Sequence, residues 1–250
     1  MFAPKFHPAM ATVVRPRKEL GIRTIFNVLG PMTNPAGAVR QLMGVYDEKL
    51  TEKLAEVLLK LGTERAFIVH GKDGTDEITI SDATKITEIR DGEIKSYTVT
   101  PEDFGLLRAP FSEIKGGETL EENREIVRRV LTGDEKGAKR DVVALNAGFA
   151  LVAGGRVEKV EEGIEMAVKA MEEGKPYELL CRLVKLTNEL YQIVFLKNRG
   201  RSKDVRLFQE EERFRGGAPG EPEPAGEVAE AGRGKRKESS RGRCQRPHIQ

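Results

Sequence analysis

Tryptophan is absent, and only two cysteines, Cys181 and Cys244, occur in 250 residues. That scarcity excludes a disulfide-stapled scaffold and fits a reducing compartment, so the expected location is the cytoplasm. Three histidines and two scattered cysteines do not supply the ligand spacing of a zinc site. No apolar run reaches the roughly 18 residues that span a bilayer, and residues 1–8 have no apolar core of a secretory leader. A Walker-type phosphate loop is missing. No Ser-His-Asp or Cys-His grouping has supporting local structure.

Charge of one sign is not in excess either. The chain has 42 Lys and Arg against 40 Asp and Glu, a net +2. The balance is uneven along the chain. Residues 197–250 hold 14 basic and 9 acidic residues with 8 glycines, and few large apolar side chains. Such a segment buries too little apolar area to offset its ordering entropy, so the expectation is a disordered charged tail. The folded domain is then expected to be residues 1–196.

Within that domain the periodicities alternate between strand and helix. Residues 8–20 are mostly helix-tolerant, with a kink or break expected near Pro16. An apolar stretch at 24–29 leads into Gly30-Pro31-Met32-Thr33-Asn34-Pro35, expected as an ordered turn-rich loop. Residues 41–46 read as a buried strand. Leu50, Leu54, Val57, Leu58 and Leu61 recur at helical spacing, and Gly62 closes that helix. Ala66 to His70 is a short apolar run. Strand, helix and strand predict a parallel pair with a right-handed crossover. Residues 85–90 and 93–99 alternate with period two around Asp91-Gly92, which predicts a hairpin. Helices follow at 120–131, 141–151, 160–171 and 177–196. In the second of these, Val142, Leu145, Phe149 and Val152 face the core, and small Ala144, Ala147 and Gly148 permit close approach. The fold class is therefore α/β.

Two places could carry chemistry. Gly71-Lys72-Asp73-Gly74-Thr75-Asp76-Glu77 follows a strand, where ligands gather in open α/β sheets. Adjacent Asp76 and Glu77 suit Mg²⁺, which takes one or two carboxylates plus water and phosphate oxygens. An acidic surface turn has the same composition. The second place is Arg15-Pro16-Arg17-Lys18, near His7 in sequence. An arginine there could hold a carboxylate or phosphate by two parallel bonds, or the segment is a solvated basic helix face. His70 ends a buried strand and reads as structural.

These pieces join in a longer pattern. It comprises Phe2-Ala3-Pro4-Lys5-Phe6-His7-Pro8-Ala9-Met10, then Arg17-Lys18-Glu19-Leu20-Gly21-Ile22-Arg23-Thr24-Ile25-Phe26-Asn27-Val28-Leu29-Gly30-Pro31-Met32-Thr33-Asn34-Pro35. It continues through His70-Gly71-Lys72-Asp73-Gly74-Thr75-Asp76-Glu77, Thr100-Pro101-Glu102-Asp103-Phe104-Gly105, and Arg140-Asp141 with Leu145-Asn146-Ala147. From Phe2 to about Leu180 the sequence resembles anthranilate phosphoribosyltransferases. The resemblance implies the large α/β domain of the nucleoside phosphorylase/phosphoribosyltransferase type fold, truncated at its N-terminal side. It implies transfer of phosphoribosyl from phosphoribosyl pyrophosphate to anthranilate, with release of pyrophosphate, in tryptophan biosynthesis. Arg17 matches the arginine that contacts anthranilate, and His7, Gly30 and Pro31 match the lining of the anthranilate channel. Asp76 and Glu77 match the acidic pair that holds Mg²⁺.

The family's first half, with its glycine-rich pyrophosphate loop, would precede Met1. The chain by itself is therefore expected to be an inactive fragment, and the homodimer usual in the family is uncertain for it. A pyrimidine nucleoside phosphorylase-like enzyme is the alternative on the same fold. A non-catalytic nucleic-acid-binding relative is the alternative from the basic tail. That tail has no aromatic interleaving after Phe214, so nucleic acid is not the expected partner, and without a bilayer-length apolar run no membrane partner is expected.

Overall fold

The computed structural model describes residues 10–22, 24, 26–34 and 36–198. Side chains at 10, 11, 17, 18, 26, 27 and 190–198 are outside that description. In chain order the elements are helices α1 (Met10–Leu20) and α2 (Phe26–Met32), strand β1 (Arg40–Gly44), helix α3 (Leu50–Lys60), and strands β2 (Arg65–Gly71), β3 (Thr84–Arg90) and β4 (Glu93–Val99). A 3₁₀ turn (Pro101–Phe104) and helices α4 (Phe111–Ile114), α5 (Leu120–Leu131), α6 (Ala138–Ala153), α7 (Val160–Glu172) and α8 (Lys175–Asn198) follow.

β2 explains the layering. All its residues except Arg65 are buried, and the period of two sends them to opposite faces. Phe67 and Val69 join one core with Ile78, Ile80, Ile86, Leu145, Phe149 and Val152. Ala66 and Ile68 join another with Val28, Met43, Leu54, Leu58 and Ile89. Helices therefore cover both faces of a four-stranded sheet, ordered β1-β2-β3-β4. β1 pairs parallel to β2, with Leu42 opposite Phe67, and α3 is the crossover between them. β2 and β3 are antiparallel, as are β3 and β4. Asp91 and Gly92 both have positive φ, 53° and 82°, as a two-residue type I′ turn requires. On the α6 side, Phe149 meets Phe67 edge to face at 5.1 Å and Phe104 at 5.5 Å. Each such pair contributes about 0.5–1.5 kcal/mol beyond area burial.

Two expectations are corrected. Residues 30–32 are not a loop: α2 runs through Gly30 and Pro31, and the turn begins only at Thr33. Proline's fixed φ is helical, and its ring removes one bond near the end of a seven-residue helix that Val28 anchors in the core. Nor is β1 a buried strand. It forms the sheet's edge, and within it only Met43 is buried.

The chain divides between Gln192 and Ile193 into two units. Of residues 197–250, the expected tail, all but 197 and 198 lie outside the described residues. Among the described residues no helix is long and apolar enough to cross a membrane.

Candidate functional site

The site forms where β2 ends. Gly71 N–H bonds the Thr75 carbonyl at 2.9 Å, and Gly74 N–H bonds the Gly71 carbonyl at 2.9 Å. Gly74 has φ 91°, the left-handed region that favours glycine. Asp73 organises the loop interior. Its carboxylate accepts from Thr75 N–H at 3.1 Å, Thr75 Oγ1 at 2.7 Å and Thr79 Oγ1 at 2.6 Å, and also from Ser81 Oγ. Burial alone would raise the Asp73 carboxyl, but hydrogen bonds from Ser81, Thr79 and Thr75 outweigh it and hold it below the ordinary range. A Cβ on Gly71 would press on the Thr75 and Asp73 side chains, so a larger residue there would disturb this hydrogen-bonded loop.

Ile78 and Ile80 then plunge fully into the core. Between the Asp73 knot and this anchor stand Asp76 and Glu77, both exposed. Among the described residues neither carboxylate has a hydrogen-bond or ion-pair partner. Two distant parts of the chain hold the turn. Asn146 of α6 donates Nδ2–H to the Ile78 carbonyl at 2.8 Å and accepts from Ile78 N–H on Oδ1 at 3.0 Å. Its Nδ2 also bonds the Val142 carbonyl of its own helix at 2.9 Å. The end of β1 also packs so closely that a Cβ on Gly44 would collide with the Asp76 carbonyl.

Asp76, Glu77 and Asn146 are the polar lining of a cavity of about 340 Å³, with Leu42, Gly44, Val69, Val142 and Val143 as its apolar lining. His70 stands apart from this chemistry. Its buried Nδ1 is 2.7 Å from the Val45 carbonyl. A carbonyl only accepts, so Nδ1 carries the hydrogen and the ring is a structural strut.

The donor set fits one class of metal. Among the described residues no three His, Cys, Asp or Glu side chains converge, so they build no all-protein cage. Two adjacent carboxylates with no partner among the described residues suit Mg²⁺, which keeps waters and takes substrate oxygens for its other positions.

The other expected site residues are placed less fully. Arg17 sits in α1, and its side chain is not among those described; His7 lies outside the described residues. Gly30 and Pro31 are exposed on α2 and do not line the cavity. The structure thus brings together Asp76 and Glu77, and adds Gly44, Asp73 and Asn146. Asn146 does carry a signal in the sequence: it lies four residues after Val142 and three before Phe149, a polar residue on an apolar stripe.

Residues 1–177 match the family model described as glycosyl transferase family, a/b domain, and the chain belongs to that family. Within it, the chain is similar to anthranilate phosphoribosyltransferases. It is 54% identical over 189 residues to that enzyme of Citrifermentans bemidjiense, covering 76% of this chain and 53% of the relative. The crystal structure of the Thermus thermophilus anthranilate phosphoribosyltransferase superposes with a TM-score of 0.66 at 43% identity, over 72% of this chain and 52% of that one. The Saccharomyces cerevisiae enzyme in complex with PRPP and Mg gives 0.61 at 29% identity, over 69% and 49%. The chain spans about half the length of the curated relatives it matches.

Proposed function

We propose that this chain supplies the metal-holding and acceptor-binding part of a site that transfers phosphoribosyl from phosphoribosyl pyrophosphate to anthranilate. The observation that carries the reading is the exposed Asp76 and Glu77 pair, which has no partner among the described residues and lines the cavity beside β1 and β2. Bound Mg²⁺ supplies charge neutralisation for the departing pyrophosphate. The chain's own residues do the rest by positioning. Asp76 and Glu77 hold the cation through hard oxygens. Arg17 grips the anthranilate carboxylate, so that the amine faces the ribose C1. His7, Gly30 and Pro31 line the path of the aromatic acid. A bond forms from the amine nitrogen to C1 while the C1–O bond breaks, and the electron pair leaves on pyrophosphate. The amine then loses a proton to solvent. No side chain is needed as a covalent nucleophile.

The test is a chimera in which this chain replaces the matched part of the Citrifermentans bemidjiense enzyme. With phosphoribosyl pyrophosphate and Mg²⁺ it is expected to consume anthranilate, followed by loss of fluorescence. A folded chimera that leaves anthranilate untouched overturns the reading.

A further inference from the structure

The acidic pair stands on a turn that no element of regular structure contains, so something must set the direction of its carboxylates. The backbone after Glu77 is the place to look. Ile78 N–H and C=O lie outside the sheet, yet both are satisfied by one side chain, the Asn146 amide, at 3.0 and 2.8 Å. The two residues are 68 positions apart, so the contact ties the loop to the middle of α6. A third bond, from Asn146 Nδ2 to the Val142 carbonyl, fixes the amide on its own helix. That helix is rigidly seated, with Leu145 and Phe149 on either side of Asn146 almost fully buried.

We propose that Asn146 is a positioning residue for the metal carboxylates: its two-point clamp on Ile78 fixes the backbone that carries Asp76 and Glu77 and so sets their affinity for a divalent cation. A planar amide is the side chain that can donate and accept at once in this geometry. Leucine has similar volume but neither function, and it leaves both Ile78 groups unpaired. Two carboxylates free to swing lose the pre-set separation that a small cation demands. Support residues of this kind typically change metal affinity by 10–100-fold when removed. The proposal rests on the metal reading of Asp76 and Glu77, and the experiment separates the two.

Mn²⁺ is titrated into the full 250-residue chain and followed by water proton relaxation, with paramagnetic broadening of the Glu77 and Ile78 amide signals. Four proteins are compared: wild type, Asn146→Leu, Asn146→Ser, and the double variant Asp76→Asn with Glu77→Gln. Wild type is expected to bind with broadening centred on residues 76–78, and the double variant to lose that binding. Asn146→Leu is expected to bind at least roughly tenfold more weakly, with Asn146→Ser between. Serine retains a hydroxyl and is the milder replacement if the leucine variant does not fold. Melting temperatures are measured alongside, because a merely structural asparagine would lower stability while the folded protein kept its Mn²⁺ affinity. That outcome overturns the positioning role and leaves the metal reading standing. Undiminished binding by the double variant, or no binding by wild type, overturns the metal reading and the proposal with it.

Discussion

Gly44 and Asp76 are in backbone contact: a Cβ added to Gly44 would run into the Asp76 carbonyl oxygen, then the carbonyl carbon at 2.6 Å. The last residue of an edge strand thus forms the floor under the acidic turn. This is a close approach to main chain, which cannot rotate aside as a flexible side chain can. Gly44→Ala is therefore expected to push the turn off β1 and destabilise the fold by about 1–3 kcal/mol, the usual range for overpacking. Denaturant midpoints at unchanged m-value measure it. A wild-type midpoint would mean that the turn shifts without cost.

The acidic pair itself should behave oppositely. Asp76 and Glu77 are exposed and, among the described residues, unpartnered, so neutralising them removes no structural bond. Asp76→Asn with Glu77→Gln is expected to leave stability within about 0.5 kcal/mol. In the active chimera the same change should slow turnover by roughly 10²-fold or more, the scale of losing a key electrostatic stabiliser. Removing the metal with a chelator should abolish the wild-type rate, and restoring Mg²⁺ should return it. Equal Mg²⁺ dependence in variant and wild type would reduce the pair to a surface turn.

Asp73 gives a pH signature. Its folded-state carboxyl lies below the ordinary value of 3.8. A depressed carboxyl stabilises the fold above the unfolded pKa, and that contribution is lost as pH falls through the folded value. Asp73→Asn should therefore destabilise at pH 7, and the gap from wild type should narrow below about pH 4. Hydrogen bonds to a charged acceptor are worth about 1.5–3 kcal/mol where buried, and partial exposure puts Asp73 towards the lower end. Urea unfolding from pH 7 to pH 3 measures this. A gap independent of pH would show that the carboxylate charge is not what holds the loop.

Local patterns were readable from sequence, and contacts across the chain were not. The crossover of β1, α3 and β2 follows from apolar spacing over 41–70. The hairpin follows from Asp91-Gly92 between alternating runs. Gly148, small on an apolar stripe, reads in sequence as a point of close approach, and it meets Gly163: a Cβ on Gly163 would lie 2.7 Å from the Gly148 carbonyl oxygen. Which helix it meets is not in the local pattern. Gly30-Pro31 misled because breaker residues mark a loop on average, whereas here a core anchor at Val28 holds a short helix together. Asp76 and Glu77 were legible because a carboxylate pair after a strand is a local motif. Gly44 was not, and Asn146 shows in the sequence only as a polar residue on an apolar stripe, since each acts on the turn from a distant part of the chain. Ile78 and Ile80, fully buried in a segment without strand or helix, have the same explanation.

Arg17 carries the prediction about specificity. Anthranilate is small, and a carboxylate beside its amine is its main handle. A guanidinium fork holds that group at two points and fixes which way the amine faces. Lysine keeps the charge but loses the planar geometry. In the chimera, Arg17→Ala should raise the anthranilate KM strongly, Arg17→Lys should raise it less, and the KM for phosphoribosyl pyrophosphate should move little. One charge-assisted contact is worth about 1.5–3 kcal/mol, or roughly 10–150-fold in KM at 1.4 kcal/mol per decade. Arg15 is the internal control. Positions 15 and 17 of α1 are about 200° apart around the helix axis. Arg15 is exposed and pairs with Glu19 at 2.7 Å across one turn, an arrangement worth about 0.3–0.5 kcal/mol. Arg15→Ala should therefore leave anthranilate kinetics unchanged. A larger effect at Arg15 than at Arg17 would put the carboxylate on the other side of α1. No effect at either would remove this helix from the acceptor site.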